Sequence, residues 1–429
     1  MKITLLIILL FILSNPLFGQ SQTESISLEE VHNLLYTESP AADKSNLQVK
    51  INDFNRRIAE SGWFPELELE AGASYQSDVT EFPFDSPTIN IPEFSKDRYN
   101  LSLNIVQPIY DGGRTRSAIE KQKRAGELLL AGFDTELFNL KQQADRVYFT
   151  ILVLQQRKER MRLILDDLNE QLSMVRSSVE HGVLLPGDEA QIRAEIITRQ
   201  QEVKQLDSDI INGIETLETI LERDISRETK FQLPDRSGWK PPEEQEAFDR
   251  PDIEQLQLRS QLLETEKEAA LRNRLPVVSV YANPFYGRPG FNIFNDDLTF
   301  NWIVGIKATW SFKSRRNAGI QAESIEIESK KNRRDLKFLQ NDQKVLLDRL
   351  KAEINILEEQ IKMDREIIRL RRTVTEEKEK QLAVGSITSA DYIRALNARE
   401  RSEIQLEIRK LMRIQKIIQY ETEWGWKWN

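Results

Sequence analysis

Two aspartates are the residues best placed to act on something other than the chain itself. Asp188 and Asp391 each stand six positions after a glycine, Gly182 and Gly385, in stretches of the same make-up. The stretches are VEHGVLLPGDEAQIRAE (Val179 to Glu195) and LAVGSITSADYIRALNA (Leu382 to Ala398). Each breaks a long polar helical run with a glycine suited to a helix end, then a short apolar and hydroxyl-rich turn, then an acid able to cap the next helix. Both glycines and both aspartates are separated by 203 positions, so the chain reads as one unit used twice.

Other chemistry is sparse. No cysteine is present, which excludes disulfides, thiol catalysis and thiolate metal sites. Two histidines, His32 and His181, and five methionines leave no dedicated transition-metal site. No nucleophile with its base and no phosphate-binding loop appears, so neither an enzyme nor a cofactor is expected. The formal charge of −9 arises from 60 basic and 69 acidic residues that are well mixed, which gives a nucleic-acid role no electrostatic support. Charged residues at 30%, with only 17 Gly and 15 Pro in 429, suit long exposed helices.

The elements that must carry the two tips follow from the pattern. Residues 1–19 read as an export signal: Lys2, the apolar run Ile3 to Leu13, and small residues toward Gly19. No other stretch is long and apolar enough for a transmembrane helix, so any membrane contact falls to strands or to the surface. The first repeat spans 20–224. It opens with a helix from Ser27 to Glu60, interrupted at Pro40, and then changes to period two. Strands are expected at 66–76 and 98–109, separated by a long loop at 77–96, before a helical hairpin whose tip lies near 182–188. From Arg114 to about Val179 the helix would measure roughly 100 Å, far beyond the ordinary length, and needs partner helices.

Residues 225–248 read as an irregular equatorial linker, and 249–420 as the second repeat. Pro251 to Pro276 repeats the 25-residue spacing of Pro40 to Pro65. Strands are expected at 277–284 and 298–312, followed by a hairpin with its tip near 385–391. A Trp-rich tail, 421–429, closes the chain. Each strand is long enough to cross an outer membrane, where about 9 to 11 tilted residues suffice, and each has one apolar and one wet face. On the first strand the wet face carries Glu66, Glu68 and Glu70. Four strands cannot close a barrel, since the smallest use about 8, and an open edge in lipid is forbidden. The chain must therefore oligomerise.

The ordered set of signal, strand entries at Pro65 and Pro276, QPIYDGGR (Gln107 to Arg114), its counterpart WSFKSRRN (Trp310 to Asn317) and the two tips resembles the TolC family of outer-membrane efflux proteins. The resemblance implies a mainly α fold with a transmembrane β-barrel part, in which a homotrimer completes a barrel of about 12 strands above an α-helical barrel. It also implies a passive duct of a tripartite efflux or type I secretion system. Solute would come from an inner-membrane pump of RND, ABC or MFS type through a periplasmic adaptor (membrane fusion) protein, and the barrel would sit in outer-membrane lipid of a Gram-negative bacterium.

By the same resemblance, Asp391 matches an acid of the periplasmic aperture and Asp188 an acid that ties neighbouring helices. Arg394 stands where a second aperture acid would be, and Ile387 where a basic tether would be. Three Asp391 carboxylates would form a ring that repels itself and attracts cations. Capping remains the other reading of both acids. The adaptor would meet the tips at Gly182, Val183, Leu184, Leu185, Val384, Gly385 and Ser386. Two other classes stand against the duct: a periplasmic adaptor, which would show one hairpin within Gly-rich β-domains, and a structural coiled coil, which would lack the alternating strands.

Overall fold

A computed structural model describes residues 25–79, 94–242, 250–292 and 294–425. The expected export signal, residues 80–93 of the expected loop, residues 243–248 of the linker, residue 249 of the second repeat and Trp426 and Trp428 of the tail lie outside the described residues. In chain order the first part comprises β1 (Ser25–Ile26), α1 (Leu28–Glu38), α2 (Pro40–Glu60), a 3-10 turn (Ser61–Trp63), β2 (Glu66–Tyr75), β3 (Asp97–Tyr110), α3 (Arg114–Glu180) and α4 (Pro186–Leu221). The second comprises β4 (Lys230–Phe231), α5 (Pro251–Arg272), β5 (Val277–Arg288), β6 (Thr299–Thr309), α6 (Phe312–Ala383) and α7 (Ser389–Trp424). The chain forms two compact units. One holds Met1–Asp43, Glu136–Arg250 and Gln343–Asn429; the other holds Lys44–Thr135 and Pro251–Asp342.

The second unit contains a four-stranded antiparallel sheet in the order β2-β3-β5-β6. Its register sorts the side chains cleanly. Leu67, Leu69 and Ala71 lie opposite Ile105, Leu103 and Leu101, and Ile105 and Leu101 in turn lie opposite Ala282 and Tyr286. The row continues through Val280, Ala282 and Tyr286 opposite Ile306, Val304 and Phe300. Successive residues of a strand point to opposite sides, so these residues share one continuous apolar face. The other face carries Glu66, Glu68, Glu70, Ser102, Asn104, Asn283, Asn301 and Lys307, with Asn104 and Asn283 hydrogen-bonded across β3 and β5.

The last two strands differ from expectation at their ends. β5 runs on to Arg288 because Phe285, Tyr286 and Gly287 still pair with β3 on one side and β6 on the other. β6 stops at Thr309 rather than at residue 312. Ser311 accepts from Ser314 N–H through its side chain (3.2 Å) and from Arg315 N–H through its carbonyl (3.0 Å), so Phe312 already opens α6. At the same end of the sheet, Gly112 has φ +70° and lies against Leu275, where a Cβ would meet the Leu275 Cβ at 2.7 Å. Only glycine takes that left-handed turn this close to a neighbour.

The first unit has its own core. Val31 and Leu35 of α1, Tyr148, Phe149 and Leu152 of α3, Ile214, Leu217 and Leu221 of α4, Phe231 and Ile418 form one buried cluster. α1 starts where Ser27 and Glu30 form a capping box, the Glu30 carboxylate accepting from Ser27 N–H at 2.6 Å. The linker is more ordered than expected: β4 pairs in parallel with β1, Ser25 opposite Lys230 and Ile26 opposite Phe231. Two-residue strands carry no period, so nothing in the pattern announces them. Trp239 of the linker packs edge-on against Tyr420, which stacks on Trp424 over Leu347, Leu350 and Ile354.

Candidate functional site

Both hairpin tips end their first helix in the same way. The Val183 N–H donates to Ser178 O (2.8 Å) and the Gly182 N–H to Val179 O (3.0 Å); the Ser386 N–H donates to Gln381 O and the Gly385 N–H to Leu382 O, both at 2.9 Å. Gly182 has φ +72° and Gly385 φ +69°, the left-handed conformation that such an end requires. Gly385 is also pressed against the first tip, since a Cβ there would stand 2.9 Å from Val183 O. Val183, Leu185 and Val384 are exposed, whereas Leu184 is buried beside Val175 and Leu382. Leu184 is therefore a core residue and not an exposed contact, because the turn that frees its neighbours points it inward.

The aspartates do not stand at the cap position itself. The caps are Leu185 and Thr388, and Asp188 and Asp391 are the third residues of α4 and α7. Asp391 Oδ2 accepts from Thr388 N–H (3.4 Å) and from its hydroxyl (2.9 Å), while Arg394 Nη2 donates to Oδ1 at 2.8 Å. The Thr388 hydroxyl first, then the Thr388 N–H and Arg394, hold this carboxyl below the usual carboxylate range. Within one chain, Arg394 thus neutralises the aspartate beside it. At the first tip Leu185 has no side-chain acceptor, so only the carboxylate half of the box operates, Leu185 N–H to Asp188 Oδ2 at 3.1 Å. Asp188 Oδ1 is left to accept from Ser389 N–H at 2.8 Å, at the start of α7. One acid caps two helices, its own and that of the second hairpin.

Further along the hairpins, α4 and α7 are joined by a buried polar group that sequence reasoning missed. Arg199 pairs with Glu195 (2.7 Å) and Glu202 (3.1 Å), donates to Asn397 (2.7 Å) and faces Glu400 at 3.9 Å. The spacing of Glu195 and Arg199 is legible as a helical pair; the link to Glu400, some two hundred residues on, is not. Glu400 is buried, and burial outweighs Arg199 and Arg399 to push its carboxyl up to about 7. The fold therefore favours the neutral acid. That contribution to stability is fully present below pH 4.5 and is lost as pH rises through about 7. Glu400→Gln is expected to stabilise the protein at pH 8 by up to about 3 kcal/mol, raising its melting temperature there, and to leave it unchanged near pH 4. Melting curves across that range check this, and a pH-independent difference would contradict it.

Glu66, Glu68 and Glu70 lie on β2, exposed, on the face opposite Leu67 and Leu69 and in register with Val106, Asn104 and Ser102. At the tips a groove of about 440 Å³ is lined by Met174, Val175, Leu184 and Leu382 together with Glu376, Glu379 and Lys380. Gln171 crosses from α3 to Glu379 of α6 at 2.7 Å there.

Comparison with known proteins connects these features. Residues 33–222 match the sequence model of the outer membrane efflux protein family. That match covers a little under half of the chain. Its structure resembles the outer membrane protein VceC from Vibrio cholerae, at 15% identity and TM-score 0.71, over 93% of this chain and 96% of that one. It also resembles the Campylobacter jejuni CmeC outer membrane channel, at 12% and 0.73, over 93% and 85%. The open-state Neisseria gonorrhoeae MtrE outer membrane channel resembles it at 15% and 0.61, over 93% and 88%. No curated protein matches by sequence.

Proposed function

We propose that three copies of this chain close one barrel and act as a passive duct for solute through the outer membrane, fed by a periplasmic adaptor and an inner-membrane pump. The observation that carries this is the sheet. Its apolar face is exposed on β2 and β6 and exposed to half-buried on β3 and β5, and its outer strands β2 and β6 each have a partner on one side only among the described residues. In lipid the first property is favourable and the second is forbidden until another copy pairs with the edge.

A second feature fits the same assembly. Along α6 the exposed apolar residues Ile320, Ile327, Phe338, Val345, Ile356, Met363 and Val374 recur at alternating steps of 7 and 11. Leu47, Ile51, Phe54 and Ile58 form an exposed stripe on α2. Two different stripes on one chain suit a head-to-tail contact that closes as a ring. The full chain, solubilised in detergent, is expected to have the mass of a trimer by light scattering. A stable water-soluble monomer would overturn the duct.

The exposed tip residues Val183, Leu185 and Val384, with Gly182, Gly385 and Ser386, and the groove beside them are the surface offered to the adaptor. Three Asp391–Arg394 pairs brought together at the mouth would act as the latch of the aperture. Asp391→Ala is expected to raise single-channel conductance in planar bilayers. Unchanged conductance, with unchanged block by divalent cations, would leave Asp391 as a helix-capping residue alone.

A further inference from the structure

Ion pairing is dense along the helices of this protein and stops at one end of the sheet. Where β3 and β6 finish and β5 begins, the starts of α3 and α6 meet the end of α5. Arg114 donates to Asn273 O (3.4 Å) and Leu275 O (3.0 Å), Ser314 Oγ to Asn273 O (3.3 Å), and Trp310 Nε1 to Arg274 O (3.0 Å). Around this junction Arg116, Arg272, Arg274, Lys313, Arg315 and Arg316 are exposed, and none has a carboxylate within ion-pair distance among the described residues. The nearby acid Asp111 is occupied by the N–H groups of Gly113 and Thr115, both at 2.7 Å, and Glu66 projects from the opposite, polar face.

Their placement runs against the local field. Helices α1, α2, α4, α5 and α7 each carry an acid in the first turn, which suits the partial positive charge of a helix start. α3 and α6 carry none there and instead begin with Arg114 and Arg116 and with Lys313, Arg315 and Arg316. Cations at a helix start repel its dipole. Asp111 offsets this at the start of α3, but no acid does so in the first turn of α6, where an anion from outside the chain is favoured. The direction from which it comes is also fixed. Trp310 continues the apolar row of β6, two residues beyond Ala308, and Arg315 lies over its ring at 5.7 Å from the centroid. Trp310 and Phe312 pack together at 5.2 Å, both exposed, in the position of an interfacial aromatic belt.

We infer that this cationic collar binds the headgroups of anionic phospholipid in the periplasmic leaflet of the outer membrane, phosphates seated on the arginines and acyl chains along the apolar face. The inference rests on the barrel reading above, which supplies the membrane. Each cation at an anionic lipid surface contributes on the order of a five-fold preference. Arginine holds a phosphate with two parallel hydrogen bonds, and a zwitterionic headgroup neutralises the same phosphate internally.

The test is a native mass spectrum of the detergent-solubilised full chain titrated with equimolar phosphatidylglycerol and phosphatidylcholine. Phosphatidylglycerol adducts are expected to dominate, and Lys313→Gln with Arg315→Gln and Arg316→Gln to cut that preference by at least about ten-fold. Lys330→Gln with Lys331→Gln and Arg334→Gln, exposed cations farther along the same helix, is expected to keep it. Equal binding of the two lipids by the unaltered chain, or an unchanged preference in the first variant, would overturn the collar. Adducts with inorganic phosphate alone that match those with lipid would mark a free-anion site and also overturn it. Should the first variant fail to assemble, Arg272→Gln with Arg274→Gln reads the same preference. A chain that forms no oligomer and enters no bilayer defeats the duct itself, whereas one that conducts without headgroup preference defeats only the collar.

Discussion

Val304→Arg is expected to remove the assembled protein from the outer membrane, while Ile303→Arg, one residue away, is expected to leave it there. Val304 lies at the middle of β6 on the apolar face, opposite Ala282, and Ile303 lies on the polar face, opposite Asn283. An arginine on the lipid side near the midplane costs about 2–4 kcal/mol, and in the proposed barrel every copy would repeat that cost. On the other face the new cation joins Lys307 and meets water. Both residues are exposed in the single chain, so burial alone predicts no difference between them. The measurement is the amount of oligomer in the outer-membrane fraction. Equal loss from both substitutions would mean that the two faces do not separate lipid from water.

The second large effect is expected in the other unit. Tyr148 is fully buried, with Phe231 edge-on at 5.1 Å and Phe149 at 6.0 Å, and its hydroxyl lies 2.6 Å from Gln232 O and 3.0 Å from Ile26 O. It is the post to which β1 and β4 are tied. Tyr148→Ala deletes the ring and is expected to cost about 3–5 kcal/mol. Tyr148→Phe keeps the ring but leaves the Gln232 carbonyl short of a donor, at about 1–2 kcal/mol. Chemical denaturation gives the two values. Hydrogen exchange at Ile26 and Phe231 is expected to quicken in both variants, since the strand pair loses its anchor; unchanged protection there would show that the pair is held by other contacts.

The strands and the tips were legible because each rests on a local rule. Alternation over ten residues marks Glu66 to Tyr75, and a glycine at a helix end marks Gly182 and Gly385. Strand ends were less legible, because alternation fades while backbone pairing goes on, as at Phe285 to Gly287. Ser311 shows the reverse, an alternating pattern cut short by a helix cap. The site residues divide in the same manner. That Asp188 and Asp391 would serve helix starts could be read from their types; that Asp188 serves two helices depends on a contact across two hundred residues. Leu184 and Leu185 are identical in the sequence, and only the turn decides which one is buried. Glu400 gave no signal at all, since a glutamate on a polar helix reads as a solvated residue until Arg199 is placed beside it.

The alternating 7 and 11 spacing along α6 has a mechanical outcome. A strict seven-residue pattern winds helices one way around each other and an eleven-residue pattern the other way; taken together they span eighteen residues, which is five turns of an unwound helix. The seam from Ile320 to Val374 therefore lies straight along the rod, like the edge of a stave and unlike a strand of rope. In the proposed ring, neighbouring staves joined along such edges would lean or part without first being untwisted.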